Sequence, residues 1–375
     1  MLTKSTNHIP YTKHSISDQD ISHVVKVLKS DFLTTGPEVG EFEKNFALKI
    51  GTKFAVACSS GTAALHLLAM CVENPKGGNF ITCPLTFVAD ANCAKYVGAE
   101  VKFADINNSD WNISINSILE KVDINTRAIV VTHFAGLPAD IDKLENFCKK
   151  KKIFLIEDAC HSPGATINHQ NTGTFGDAAI FSLHPAKHIA VGEGGIITTD
   201  NEQLYEKLMR LRNHGLESWQ KRSGYLYDIK ELGFNYRMTD SEAALGNSQL
   251  KNLDESVKKR SEIASFYYEN INWKYFTHQV ISDTKTHAYH LFPILAKDGQ
   301  SRDNLIKYLR DFNIGATIHY PLINKMTLYK GSIDTTPVAD DIGSRIVSIP
   351  MYPSLKSSEI EYVVKVLNSF DDISN

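Results

Sequence analysis

At 375 residues the chain exceeds the ~250–300 at which single cores stop growing, so it has room for a large domain and a smaller one. Its 42% hydrophobic and 22% charged residues suit a globular protein, and a formal charge of −3 offers no basic field for nucleic acid. No segment approaches the ~20 apolar residues of a membrane span, and the amino-terminal stretch, with Lys4, His8, Tyr11 and Lys13, lacks a signal peptide's apolar run.

In chain order, Ser17 to Leu28 predicts a capped helix, with Ser17 as N-cap, acidic residues in the first turn, and Ile21, Val24, Val25 and Leu28 on one apolar face. Seven short apolar runs follow, beginning at Phe54, Phe80, Val101, Ala128, Ile153, Ala179 and Gly195, and read as buried strands. Helix candidates lie between them, at Thr62 to Val72, Phe87 to Val97 and Ile141 to Lys151. This alternation predicts an α/β domain with a mostly parallel sheet, spanning residues 1–245. Residues 246–375 read as a small α+β domain. It holds a long helix from Ser248 to Ile271, a strand at His290 to Leu295, a helix at Arg302 to Phe312, a strand at Gly315 to His319 and a last helix at Ser357 to Ser369. The six cysteines lack paired metal spacing and read as reduced thiols of a cytoplasmic enzyme; no metal site is expected.

Three features carry chemistry. The run Ile153-Phe154-Leu155-Ile156 ends in Glu157-Asp158 followed by Ala159-Cys160-His161, which places acids at the carboxyl edge of the sheet, where open α/β folds bind ligands. An acid there holds a metal, caps a helix, or pairs with a protonated ring nitrogen. Next, Ser182 and Lys187 follow the strand Ala179-Ile180-Phe181, in a turn bounded by Gly192-Glu193-Gly194-Gly195. Desolvation there favours the free amine, which can form a Schiff base with an aldehyde. Finally, Ser59-Ser60-Gly61-Thr62 opens a helix whose free N–H groups suit a phosphate dianion. No Gly-x-Gly-x-x-Gly follows a strand and no Gly-x-x-x-x-Gly-Lys-Ser/Thr occurs, so dehydrogenase and nucleoside triphosphatase readings lose their support. A phosphate cradle, an acid for the ring nitrogen and an aldehyde-binding lysine are together what pyridoxal 5'-phosphate needs, with Phe87 a candidate to cover the ring.

These residues resemble the DegT-type sugar-nucleotide aminotransferases, within the aspartate-aminotransferase fold. The likeness runs through Phe32-Leu33-Thr34-Thr35-Gly36-Pro37, Ser60-Gly61-Thr62-Ala63-Ala64-Leu65, Pro84-Leu85-Thr86-Phe87-Val88-Ala89 and His133-Phe134-Ala135-Gly136. It continues through Glu157-Asp158-Ala159, Phe181 to Lys187, Gly192 to Gly195, Arg212-Asn213-His214-Gly215 and Gly233 to Met238. The resemblance implies a large domain with a seven-stranded sheet and a small C-terminal domain. It assigns the cofactor phosphate to Gly61, Thr62 and Ser182, beside the hydroxyl donor Ser60 offered by the helix start, the ring nitrogen to Asp158, the ring hydroxyl to His161, the ring face to Phe87 and the Schiff base to Lys187. Asn235 is implied to reach the phosphate in a neighbouring subunit, so that a homodimer shares its active sites. Thr34, His184, His188, Glu193, Arg237, His319 and Tyr320 are candidates for substrate contact.

Ile9 to Ile16 and Ser30 to Thr34 look most like the pseudaminic-acid branch, which implies transfer from L-glutamate to carbon 4 of a UDP-linked 4-keto-6-deoxy-N-acetylhexosamine. A perosamine-type or other dTDP- or GDP-sugar aminotransferase stays open. Related dehydratases carry His at the position of Lys187, and a non-catalytic cofactor-binding regulator is opposed by the complete Asp158, Ser182 and Lys187 set.

Overall fold

The computed structural model describes residues 4–217, 227–331 and 333–370. The first five apolar runs form strands β1 (Phe54–Cys58), β2 (Asn79–Thr82), β3 (Glu100–Phe103), β4 (Thr126–Thr132) and β5 (Phe154–Asp158). A short hairpin, β6 (Thr166–Ile167) with β7 (Gln170–Asn171), precedes β8 (Ala178–Ser182) and β9 (Gly195–Thr199). Seven of these make one sheet in the order β1-β9-β8-β5-β4-β2-β3. From β8 to β3 the neighbours run parallel, whereas β9 is antiparallel to both β8 and β1.

The runs read as continuously apolar because both faces of the sheet are covered. On β4, Ile129 and Val131 enter one core cluster while Ala128 and Val130 enter another on the opposite face. Polar residues are left for the strand ends. Thr132, Asp158 and Ser182 close β4, β5 and β8 at one edge, the carboxyl edge where such sheets take ligands.

Beyond the sheet, β10 (Phe292–Leu295) pairs antiparallel with β11 (Ile346–Ile349), packed with helices Gly299–Asp311 and Ser357–Asn368. Three expectations change here. The long helix is two, Asp240–Leu250 and Leu253–Asn270, because the corner between them lets Leu250 and Leu253 both enter the same core cluster. The strand expected at Gly315 to His319 is only a bridge from Thr317 to Ser348. The amino-terminal segment takes the hydrogen bonds just before it, with Gly315 N–H donating to Ile9 O and Ile9 N–H to Asn313 O. The true partner of β10 is β11, which the sequence reading passed over.

The third change concerns the first helix, Asp18–Leu28. Its Ser17 N-cap forms as expected, and Asp20 closes it into a capping box, the two exchanging hydrogen bonds. Its buried positions, however, are Asp20 and Val27, and Asp20 accepts from Gln249 Nε2 of the helix it packs on. Ile21, Val25 and Leu28 are 52%, 40% and 58% exposed, and Phe32 and Leu33, just beyond the helix, are exposed as well. Among the described residues no helix is long and apolar enough to cross a membrane.

Candidate active site

The helix Gly61–Ala69 starts directly after β1, with Ser60 as N-cap accepting from Ala63 N–H at 3.0 Å. That bond leaves the Gly61 and Thr62 N–H groups as first-turn donors without intrahelical acceptors. Two close approaches hold this turn. A Cβ on Gly195 would stand 2.3 Å from the Ser60 carbonyl oxygen, and one on Gly61 would stand 3.1 Å from Ser182 Cβ. The glycines thus let the helix start, β9 and the end of β8 meet at van der Waals contact, with the Ser182 hydroxyl beside the turn.

Opposite the turn, Asp158 is 5% exposed, and its Oδ1 accepts from Cys160 N–H at 2.8 Å, which sets the rotation of the carboxylate. Three residues on, His161 Nε2 is 3.0 Å from the Tyr320 hydroxyl, and the two rings lie nearly parallel. His161 Nδ1 is buried without a partner among the described residues. Lys187 Nζ lies 3.4 Å from His290 Nε2, and the His290 ring sits 4.4 Å from that of His161. Burial pushes the Lys187 ammonium toward the neutral amine, against the pull of Cys160, Asp158 and Asp90. Burial and then the Lys187 charge push His161 and His290 well below the ordinary imidazole range, so both rings stay neutral. Ser60, Gly61, Thr62, Asp158, Cys160, His161, Ser182, Lys187, His290 and Tyr320 line one cavity of about 420 Å³, with Phe87 half exposed beside it and 6.1 Å from the Tyr320 ring.

Glu157 belongs elsewhere, because alternation along β5 turns it to the opposite face from Asp158. It is fully buried and accepts from His133 Nε2 at 2.7 Å, Gly173 N–H at 2.5 Å and Phe175 N–H at 2.9 Å. His133 Nδ1 in turn accepts from Ala139 N–H at 3.0 Å, which fixes the ring tautomer. The His133-to-Gly136 motif is thus brace rather than chemistry.

Of the residues singled out in the sequence, Ser60, Gly61, Thr62, Phe87, Asp158, His161, Ser182, His184, Lys187, Glu193, His319 and Tyr320 share this cavity. His319 Nδ1 is 3.0 Å from Ser348 Oγ, and burial lowers its pKa to about 4. His188 faces away, its Nε2 donating to Ala288 O at 2.8 Å beside a second cavity of about 220 Å³. Thr34, Asn235 and Arg237 lie outside the cavity of their own chain. Thr34 bridges to Thr239, Asn235 to Asn213, and Arg237 donates to Asn213 Oδ1 at 2.8 Å. Sequence reasoning missed Tyr11, Thr86, Asp90, Thr132 and His290. Of these, Thr132 carried a signal as a polar residue ending an apolar strand.

A buried lysine amine, a carboxylate held at the end of β5, an unpartnered imidazole nitrogen and a helix-start anion cradle fit pyridoxal 5'-phosphate, and with this fold they define an aminotransferase of the aspartate-aminotransferase type. Residues 14–368 match the DegT/DnrJ/EryC1/StrS aminotransferase family, and the chain belongs to it, as a pyridoxal-phosphate-dependent sugar aminotransferase. It is 37% identical over 369 residues to the UDP-4-amino-4,6-dideoxy-N-acetyl-beta-L-altrosamine transaminase of Campylobacter jejuni serotype O:2, covering 96% of this chain and 97% of that one. It is 32% identical over 365 residues to the GDP-perosamine synthase of Escherichia coli O157:H7, covering 97% and 98%. Among solved structures, Helicobacter pylori PseC, an aminotransferase involved in the biosynthesis of pseudoaminic acid, superposes with a TM-score of 0.90 at 29% identity, covering 97% of this chain and 100% of that one.

Proposed function

We propose that the enzyme transfers the amino group of L-glutamate to carbon 4 of a nucleotide-linked 4-keto-6-deoxy sugar, with UDP-4-keto-6-deoxy-N-acetylhexosamine as the favoured acceptor. The observation that carries the transfer chemistry is the meeting of Lys187, Asp158 and the Ser60–Thr62 turn in one cavity. The likeness to the altrosamine transaminase at 37% identity supports the UDP sugar, and the likeness to GDP-perosamine synthase at 32% supports a GDP-linked acceptor as second reading.

Pyridoxal 5'-phosphate, when bound, supplies an aldehyde that takes up the amino group and a protonated ring that withdraws electrons from the donor's α-carbon. Lys187 Nζ holds the aldehyde at rest and, once free, moves the proton to and from the α-carbon, for which its burial-lowered pKa suits it. Asp158 would face the ring nitrogen and keep it protonated. Gly61 and Thr62 N–H groups with the Ser60 and Ser182 hydroxyls would hold the phosphate, His161 would stand at the ring hydroxyl, and Phe87 would cover the ring. His184, Glu193, His319 and Tyr320 border the space left for the sugar.

The working unit is a homodimer in the cytoplasm. The outward face of Ile21, Val25 and Leu28, with Phe32 and Leu33 exposed just after it, supports a partner, since monomers seldom leave much apolar surface uncovered. Thr34, Asn235 and Arg237, outside their own cavity, then serve the partner's. A panel of UDP-, dTDP- and GDP-4-keto-6-deoxy sugars with glutamate, scored by product mass, tests the assignment. Amination of the UDP-N-acetyl sugar alone is expected, and sole turnover of a GDP sugar selects the second reading. Lys187→Ala should abolish turnover in a folded protein; an active variant overturns both.

A further inference from the structure

Behind Asp158 lies a second carboxyl that the chemistry above does not use. Asp90, on the helix Ala89–Tyr96, is 1% exposed, and its carboxyl accepts from the hydroxyl of Thr132, the residue paired with Asp158 across β4 and β5. The two oxygens of Asp90 differ in their surroundings. Oδ2 accepts from the Thr86 hydroxyl at 2.8 Å and from the Thr132 hydroxyl. Oδ1 meets no nitrogen or hydroxyl donor among the described residues.

Two buried carboxyl groups can share a hydrogen bond only if one carries the proton. Asp158 Oδ1 already accepts a backbone N–H, which suits the ionised form, while Asp90 has one oxygen serving as acceptor and one without a donor, which suits the acid. Other titratable groups nearby do not stabilise a second anion. Cys83 and Cys93 are buried thiols held neutral, and Lys187 is pushed toward its neutral amine. Burial first, then the Asp158 charge, raises the Asp90 pKa well above the ordinary carboxyl range.

We propose that Asp90 is a protonated acid that donates from Oδ1 to the Asp158 carboxylate, and so positions and tunes the group that faces the cofactor ring. A donor on Asp158 spreads its negative charge, which leaves the shared proton with the ring nitrogen and keeps the ring electron-poor. Asp90 acts through Asp158 and touches neither substrate nor cofactor, so it is a positioning residue. The inference rests on Asp158 facing the ring nitrogen, as proposed above.

Two measurements separate the claims. Infrared spectra of the full-length, cofactor-free protein at neutral pH should contain an un-ionised carboxyl band that disappears in Asp90→Asn. No such loss overturns the protonated acid, whatever Asp158 does. In the holoenzyme, the pH midpoint of the cofactor's visible absorbance should stay at the wild-type value in Asp90→Asn, whose amide still donates to Asp158. It should move by about one pH unit in Asp90→Leu, which cannot donate. A shift in Asp90→Asn as large as in Asp90→Leu would overturn the donor role. If Asp158→Asn leaves the absorbance titration unchanged while the infrared band behaves as expected, the Asp158 reading fails and the Asp90 protonation stands.

Discussion

Gly195→Ala tests whether the close contact at the helix start organises the phosphate cradle. The new Cβ would stand 2.3 Å from the Ser60 carbonyl oxygen, 2.4 Å from its carbon and 2.7 Å from Gly61 N. Ordinary contact is roughly 3.5 Å, so something must move by about 1 Å. Gly195 itself is held, paired with Cys58 on one side and Ser182 on the other. The Ser60–Thr62 turn therefore yields, and the overpacking costs about 1–3 kcal/mol of stability. Losing one hydrogen bond to a dianion costs a further ~1.5–3 kcal/mol of binding, roughly a ten- to hundredfold rise in cofactor Kd. Titrating the cofactor-free protein with pyridoxal 5'-phosphate by absorbance, alongside a thermal melt, reads both. Gly40→Ala, where a Cβ meets nothing within 4 Å, serves as control and should leave cofactor affinity unchanged. Wild-type affinity and melting temperature in Gly195→Ala would refute the argument.

Other expectations follow from the same geometry. Phe87→Ala should barely alter the melt, since the ring is 54% exposed, yet weaken cofactor binding roughly two- to tenfold through lost ring contact; an unchanged Kd removes Phe87 from the site. Glu157→Leu leaves His133, Gly173 and Phe175 donors unpaired and should cost about 3 kcal/mol or more, read from the denaturant midpoint; a wild-type midpoint would show that the brace is dispensable. In the cofactor-free protein, burial lowers the folded-state pKa of Lys187 below its unfolded value, so the native state binds fewer protons between those two pKa values and stability rises with pH across that window. Lys187→Met removes the buried cation. It should be the more stable protein at neutral pH, by a margin that shrinks as pH approaches the ordinary lysine pKa. A margin independent of pH would contradict the linkage.

The sheet was legible because its strands are buried on both faces and so read as unbroken apolar runs. Asp158 and Ser182 were legible because they close two of those runs at one edge, and Lys187 because it follows in a glycine-bounded turn. The helix Asp18–Leu28 shows the limit of this reasoning. Periodicity found its apolar stripe, but the helix packs through Asp20 and turns the stripe outward, since hydrophobic spacing marks a face without naming what covers it. Asp90 and His290 escaped notice for another reason. Asp90 sits in an ordinary first turn and His290 just before β10, and only the tertiary fold brings each beside Asp158 and Lys187.

The reversed strand β9 also bears on how the protein is made. Its partner β1 lies some 140 residues earlier, at Phe54–Cys58. Until Gly195–Thr199 has left the ribosome, β1 has no neighbour in the sheet and the Ser60–Thr62 turn has nothing behind it. Such distant pairing is slow to form and leaves apolar edges open meanwhile. The turn proposed to hold the cofactor's phosphate is therefore among the last parts of the large sheet to be assembled, and a nascent chain stopped short of Thr199 should carry Asp158 and Lys187 yet fail to retain the cofactor.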